Sequence, residues 1–179
     1  MNPKKIVITG GPGTGKSTII NALLEKNYTC LEEISRDVTL EAQKKGIDQL
    51  FLTKPLLFSE LLLEGRLQQF KTAKSLNTDV VFFDRGIPDV LAYMDYIGDN
   101  YPDSFKKASK KFNYDTVFIC KPWKAIYTPD NERYESFSQA EKIHQYLLKT
   151  YTSYNYTPID VPFGSITERT NFIINTLNL

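Results

Sequence analysis

Eight consecutive residues near the start of the chain have the spacing of a phosphate-binding loop. Residues Gly10 to Ser17 read Gly-Gly-Pro-Gly-Thr-Gly-Lys-Ser and follow the apolar run 6–8, which fits the pattern G-x-x-x-x-G-K-[ST] after a strand. The glycines let successive backbone N–H groups turn toward one point, and the positive end of the following helix adds to the attraction for an anion. Lys16 is then expected to reach the β- and γ-phosphates of a nucleoside triphosphate, and Ser17 to hold Mg²⁺.

The alternative for this loop is a glycine-rich turn between a strand and a helix that binds nothing. The strand predicted before it and the helix predicted after it are the context that a phosphate-binding loop requires, so we favour phosphate binding. The residues expected to contact the nucleotide are Gly11, Pro12, Gly13, Thr14, Gly15, Lys16, Ser17 and Thr18.

A carboxylate and a guanidinium follow the apolar run 80–83. Asp84 comes directly after this run and Arg85 is the next residue. In proteins with a phosphate-binding loop, a carboxylate at the end of a buried strand helps to organise the metal ion. We expect Asp84 either to bind Mg²⁺ through water or to accept a proton from an acceptor hydroxyl, and Arg85 to pair with a phosphate or a substrate carboxylate. The alternative for Asp84 is an ordinary turn cap.

Three further charged residues are candidates for binding a phosphoryl acceptor. Glu33 follows a short predicted strand, so in a parallel sheet it would share a rim with the phosphate loop and act as a general base. Arg36 would hold the acceptor. Arg66, on a long predicted helix, either points into the acceptor pocket or lays its stem against neighbouring leucines. The alternative for Glu33 is attraction to the start of a helix and nothing more.

Segment 121–137 is polar and contains two prolines. A polar segment of this length at the end of a strand predicts a mobile loop that closes over the nucleotide. Arg133 within it is expected to reach the transferring phosphate, and the alternative is a surface ion pair that contributes little. Trp123 either stacks on the base or, as we favour, covers the edge of the sheet.

The elements that must position these residues alternate along the chain. Strands are predicted over 4–9, 28–31, 80–83, 116–120 and 157–161. Helices are predicted over 16–26, 35–45, 55–76, 88–97, 102–111, 138–151 and 165–178. This alternation predicts an α/β fold of three layers, a five-stranded parallel sheet with helices on both faces, and a ligand beyond the carboxyl ends of the strands. The longest helix is expected to bury Leu56, Leu57, Leu61, Leu63, Leu67 and Phe70.

Length and composition limit the class of protein. A chain of 179 residues with 41% hydrophobic residues predicts one domain over residues 1–179, with the loop 121–137 as a lid segment. The net charge of +1 disfavours a nucleic-acid or membrane partner. Two cysteines far apart, Cys30 and Cys120, favour a reduced, cytoplasmic protein. No apolar run approaches the roughly 18 residues of a membrane span.

On these motifs, the chain resembles the AAA-type family of predicted ATPases, which is close to ribosylnicotinamide kinase domains and more distant from thymidylate and deoxynucleoside kinases. The resemblance rests on the phosphate loop, on Glu-Glu-x-x-Arg at 32–36, on Asp-Arg-Gly-Ile-Pro-Asp at 84–89 and on Asp-x-Glu-Arg at 130–133. It implies the P-loop NTPase fold of nucleotide kinases and the use of ATP with Mg²⁺. It also implies that Asp84 and Arg85 lie at the active centre, with Arg133 in the lid.

Two functions are compatible with these residues. The first is a kinase that transfers the γ-phosphoryl group of ATP to a nucleoside, nucleotide or related small metabolite, with Glu33 or Asp84 as the base. The second is an ATPase or nucleotide-dependent switch that acts on a protein partner without a small-molecule acceptor. The number of arginines around the predicted pocket favours the kinase, because hydrolysis needs no group that holds an acceptor.

Overall fold

A parallel five-stranded sheet forms the centre of the protein in a computed structural model that describes residues 2–127 and 136–179. The strands are β1 Lys4–Gly10, β2 Thr29–Leu31, β3 Val80–Asp84, β4 Thr116–Cys120 and β5 Ile159–Val161. They lie in the order β2-β3-β1-β4-β5, and every neighbouring pair is parallel. The predicted α/β fold with a parallel sheet is therefore confirmed, and the carboxyl ends of the five strands meet at one rim.

Helices connect the strands. They are α1 Lys16–Glu25, α2 Ser35–Lys44, α3 Leu50–Thr53, α4 Pro55–Ala73, α5 Ile87–Ile97, α6 Asp103–Lys111, α7 Phe137–Ser153 and α8 Ile166–Leu177. The single turn α3 is not among the predicted helices, because four residues are too few to show a helical period. Within the described ranges, none of these helices has the length and apolar composition needed to cross a membrane.

Alternate side chains of the strands build two separate cores. Ile6 and Ile8 of β1 pack into one core with residues of α1 and α8, whereas Val7 packs into the other with residues of α4, α5 and α7. This alternation follows from the two-residue period of a strand, which sends successive side chains to opposite faces of the sheet. Both faces of the sheet are therefore covered by helices, as predicted.

The buried face of α4 differs from the predicted one. Leu57 and Leu61 are 39% and 37% exposed, so their predicted burial is wrong. The helix instead buries a polar and a charged residue together with apolar ones: Phe58, Ser59, Leu62, Leu63, Arg66, Phe70 and Ala73. Apolar residues lie all around this helix, so its sequence does not single out one face. Packing against the sheet and α5 decides which face is buried.

Candidate active site

The loop between β1 and α1 has the conformation of an anion-binding site. Gly13 and Gly15 have φ angles of +70° and +75°, in the left-handed region that glycine adopts without a steric penalty. Gly15 caps α1 and, having no side chain, offers no side-chain acceptor to the N–H groups of the first turn. The Thr14 hydroxyl donates to the Gly11 carbonyl at 2.9 Å and fixes the shape of the loop. These features fit a phosphate group at the start of α1.

Two side chains from distant elements pack on this loop. Arg169 of α8 is buried and donates from Nη2 to the Thr14 carbonyl at 2.9 Å. Its Nη1 atom lies 2.6 Å from the position that a Cβ of residue Gly15 would take, and the ring of Tyr127 lies 2.6 Å from the same position on Gly13. Glycine therefore permits the conformation at both positions and also leaves the space that these side chains occupy. The sequence offers no signal for Arg169 or Tyr127, since both are far from the loop along the chain.

Lys16 and Asp84 form a buried ion pair beside the loop. Lys16 Nζ and Asp84 Oδ1 are 2.5 Å apart. The two residues meet because β1 and β3 are neighbours in the sheet, with Ile8 directly beside Asp84. The side chain of Ser17, one residue after Lys16, is exposed. A hydroxyl and a carboxylate oxygen at this rim are ligands that Mg²⁺ takes, so the residues present fit the predicted nucleotide with its metal ion.

The turn after β3 is held in an unusual backbone conformation. Arg85 has a φ angle of +71°, which costs about 1–2 kcal/mol for a residue other than glycine. Its N–H donates to the Ile8 carbonyl at 3.0 Å, and the Gly86 N–H donates to Asp89 Oδ2 at 2.9 Å. The Gly86 carbonyl accepts a hydrogen bond from Arg66 Nη1 at 2.8 Å. The polar groups of the turn are thus satisfied by β1, α4 and α5, which keeps the strained residue in place.

Glu33 lies between two arginine side chains. Its Oε2 atom is 2.5 Å from Arg85 Nε, and its Oε1 atom is 3.2 Å from Arg66 Nη2 and accepts a hydrogen bond from the Ser35 N–H. Burial by itself raises the pKa of Glu33, but Arg66, Arg85 and Lys16, with the Ser35 N–H, outweigh it and lower this pKa to about 2. Glu33 is therefore ionised at neutral pH and can accept a hydrogen bond from a hydroxyl group.

Asp89 of α5 is the centre of a hydrogen-bond cluster that no sequence motif predicts as a whole. Its Oδ1 atom accepts from Thr9 Oγ1 at 2.5 Å and from Arg85 Nη1 at 3.4 Å. Its Oδ2 atom accepts from the Gly86 N–H and, at 2.5 Å, from the Tyr151 hydroxyl. Four donors occupy the four lone-pair positions of a carboxylate. Asp89 stands three positions after Gly86, the residue that caps α5. This spacing is a local signal for the hydrogen bond from the Gly86 N–H to Asp89, and for no other contact of the cluster.

The remaining predicted residues have different surroundings. Arg36 is exposed near the start of α2 and has a partner of its own. Arg66 is 3% exposed, and its two Nη atoms donate hydrogen bonds to Glu33 and to the Gly86 carbonyl. These contacts hold Glu33 and the turn after β3 in position. Substrate binding by Arg66 stays a prediction. Arg133 lies outside the described residues, as does the middle of the predicted lid, residues 128–135, so both predictions remain open.

Trp123 packs at the other side of the rim, beyond β4. Its ring stacks on that of Phe163, with centroids 5.0 Å apart and planes 23° apart. Beside this aromatic pair, Lys121 Nζ and Asp160 Oδ2 are 2.7 Å apart. The contact with Phe163 agrees with the predicted role of Trp123 at the edge of the sheet.

The family of the chain is shown by a sequence profile. The profile of a family of AAA domains matches residues 5–169. The chain belongs to this family. The match spans the phosphate loop, the turn after β3 and Arg169, and thus every described part of the candidate site. No curated protein matches the AAA-domain chain at a significant level.

Solved structures with the same fold include two kinases and the NadR protein. Deoxyadenosine kinase from M. mycoides, with dCMP and a flexible dCDP bound, is 19% identical, has a TM-score of 0.72, and aligns over 97% of the AAA-domain chain and 98% of its own. Thymidylate kinase from Candida albicans is 18% identical, with a TM-score of 0.69 and coverage of 99% and 93%. NadR in complex with NR is 16% identical, with a TM-score of 0.72 and coverage of 98% and 50%. The AAA-domain chain therefore has the P-loop fold of nucleotide kinases, as its sequence motifs predict.

Proposed function

We propose that this AAA-domain protein is an ATP-dependent kinase that transfers the γ-phosphoryl group of ATP to a nucleoside, nucleotide or related small metabolite. The observation that carries the proposal is the Glu33–Arg85 ion pair beside the Lys16–Asp84 pair. Asp84 contacts Lys16 of the loop that would bind ATP, and the next residue, Arg85, contacts Glu33, which would bind an acceptor. The turn after β3 therefore connects the two parts of the proposed site. This second carboxylate can orient an acceptor hydroxyl beside the transferring phosphate.

The phosphate loop, Lys16 and Ser17 form the donor half of the proposed site. Bound ATP supplies the phosphoryl group, and Mg²⁺ neutralises part of the charge on its phosphate oxygens. Lys16 would exchange its contact with Asp84 for one with the phosphates, which leaves the Asp84 carboxylate beside the metal site. Ser17 would face the same position from the start of α1. Arg169 would keep the loop in the binding conformation through its hydrogen bond to the Thr14 carbonyl.

Glu33, Arg85 and Arg66 form the acceptor half. Glu33 would accept a hydrogen bond from the attacking hydroxyl and orient its oxygen toward the γ-phosphorus. Arg85 would lie next to the transferring group, where a guanidinium stabilises negative charge. Arg66 would hold both Glu33 and the Gly86 carbonyl in position. Phosphoryl transfer depends mainly on positioning and electrostatics, so a carboxylate with a low pKa is adequate for this orienting role.

Transfer of label from γ-labelled ATP tests the proposal. The protein is incubated with Mg²⁺ and with separate pools of nucleosides, nucleoside monophosphates and ribosides, and the labelled products are separated. Label in a metabolite is the expected result. Label in free phosphate alone, at a rate that no pool changes, would contradict the kinase and favour the ATPase or switch.

The Lys16→Ala variant tests the donor half in the same assay. Loss of the ammonium group removes a preorganised positive charge from the transferring phosphate, so we expect a fall in the transfer rate of about 10²–10³-fold. Lys106→Ala, an exposed change on α6, is the matched control and should leave the rate unchanged. Equal rates for Lys16→Ala and the control would show that the loop is not the donor site.

A further inference from the structure

The charges at the acceptor half of the site cancel one another. Two carboxylates, those of Glu33 and Asp89, face two guanidinium groups, those of Arg66 and Arg85. Both arginines contact Glu33, and Arg85 also contacts Asp89. All four side chains are largely buried, and Glu33 and Arg85 retain some exposure, 17% and 24% of their side chains. This cluster therefore carries no excess positive charge with which to attract an anionic acceptor.

An acceptor that reaches this cluster meets an ionised carboxylate. A neutral hydroxyl group can donate a hydrogen bond to Glu33 without disturbing either arginine. A phosphate group brings negative charge toward that carboxylate and can gain a cation only by separating Glu33 from Arg85 or Arg66. Separating a buried ion pair leaves a charge without its partner, which is costly.

We propose that the acceptor is a neutral hydroxyl compound of the nucleoside or riboside class, not a nucleoside monophosphate, and that Glu33 determines this choice. The proposal rests on the kinase function proposed above. In the transfer step, the hydroxyl oxygen forms a bond to the γ-phosphorus of ATP, and the bond from that phosphorus to the β–γ bridging oxygen breaks. ADP leaves with the electron pair, and the hydroxyl proton passes to Glu33 and then to water.

Matched pairs of acceptors test the proposed specificity. The wild-type chain is given γ-labelled ATP, Mg²⁺ and a panel of nucleosides and ribosides, each compared with its own 5′-monophosphate; deoxyadenosine and dAMP, thymidine and TMP, and nicotinamide riboside and its monophosphate are included. We expect kcat/KM for the best neutral member to exceed that for its monophosphate by at least 100-fold. Equal or faster transfer to the monophosphate would overturn this proposal but leave the kinase function intact. If no member of any pair is phosphorylated, the result would contradict the proposed kinase function itself.

Variants at Glu33 test whether this residue sets the choice. Glu33→Gln removes the negative charge and releases Arg66 and Arg85, so we expect nucleoside transfer to fall by at least 100-fold and the nucleoside-to-monophosphate ratio to fall by at least 10-fold. Glu32→Gln, an exposed neighbour, is the control and should leave the ratio as in wild type. A ratio that is unchanged in Glu33→Gln would overturn the proposal, because a merely structural role lowers both rates together.

A second variant covers the case in which Glu33→Gln does not fold. Glu33→Asp keeps the charge but shortens the side chain, so it should transfer more slowly while still preferring the neutral acceptor. Calorimetric binding of ATP with Mg²⁺ to each variant verifies that the donor half is intact. A switch of Glu33→Asp to the monophosphate would count against the proposed role of charge.

Discussion

Ion pairs and an unusual backbone conformation together fix the position of the Arg85 side chain. Burial opposes the charge of its guanidinium, but Glu33, Asp89 and Asp84 outweigh this effect and raise its pKa above the ordinary value. The backbone of Arg85 has a left-handed conformation that this residue type rarely adopts. Strain of this kind persists where the surroundings define a single arrangement. The side chain is thereby aimed at Glu33 before any substrate binds.

Glu33 predicts a pH dependence of stability. Its pKa in the folded chain, about 2, is below the ordinary value of 4.5, so its contribution is present above pH 4.5 and is lost as the pH falls toward 2. The shift corresponds to about 3 kcal/mol. Urea unfolding at pH 7, 5 and 3 should show that wild type loses more stability toward acid than Glu33→Gln does. Parallel pH profiles for the two chains would contradict the ion pairs of Glu33.

The element that joins the two halves of the site is α5, through Asp89 near its start. Asp89 contacts Thr9 at the end of β1, the turn after β3, and Tyr151 on α7. Thr9 directly precedes Gly10, the first residue of the phosphate loop. Ala140 of α7 packs against Gly11 of the same loop. One buried carboxylate therefore connects the strand that leads into the donor loop with the turn that carries Arg85.

Tyr151→Phe tests this connection. The change removes one donor to a buried carboxylate and preserves the shape of the ring, so we expect the free energy of unfolding to fall by about 1–3 kcal/mol. Urea unfolding at neutral pH measures it. Tyr146→Phe, on the same helix, removes a hydroxyl outside the Asp89 cluster and should cost less. Equal losses for the two variants would show that the Asp89–Tyr151 contact contributes nothing specific.

The strand order arranges the whole molecule around the phosphate loop. β1 lies at the centre of the sheet, so the loop that follows it stands in the middle of the rim. The ends of β3 and β2 carry Asp84 and Glu33 to one side. The ends of β4 and β5 carry Trp123 and Phe163 to the other. The proposed acceptor and the aromatic pair therefore approach the loop from opposite sides.

Trp123, the single tryptophan of the chain, should respond to nucleotide binding. Its carbonyl accepts a hydrogen bond from the N–H of Tyr127, whose ring covers Gly13 in the loop. A phosphate group bound at the loop would displace this ring and alter the short segment between the two residues. We expect ATP with Mg²⁺ to change the emission of Trp123, and Lys16→Ala to weaken the response. Binding detected by calorimetry without any change in emission would contradict this coupling.

Features set by local spacing could be predicted from the sequence. The phosphate loop depends on glycines, a lysine and a serine within eight residues, and the α/β alternation depends on periods of two and about four residues. Asp84 and Glu33 could be placed at one rim because parallel strands bring their carboxyl ends together. The family resemblance, which rests on these same motifs, is confirmed for the same reason. Arg133 and residues 128–135 of the lid are outside the described residues, and their roles stay predictions.

Contacts between residues that are distant along the chain were decided by the tertiary structure alone. The inward direction of Arg66 depends on which face of α4 meets the sheet, and a helix with apolar residues all around does not specify that face. Asp89 gathers donors from β1, a turn and α7, and Arg169 reaches the loop from α8. The sequence by itself therefore determined the donor loop and the elements that carry it. The pairing of Glu33 with two arginines, which defines the proposed acceptor site, arises only when separate elements pack, because no local period or motif records that contact.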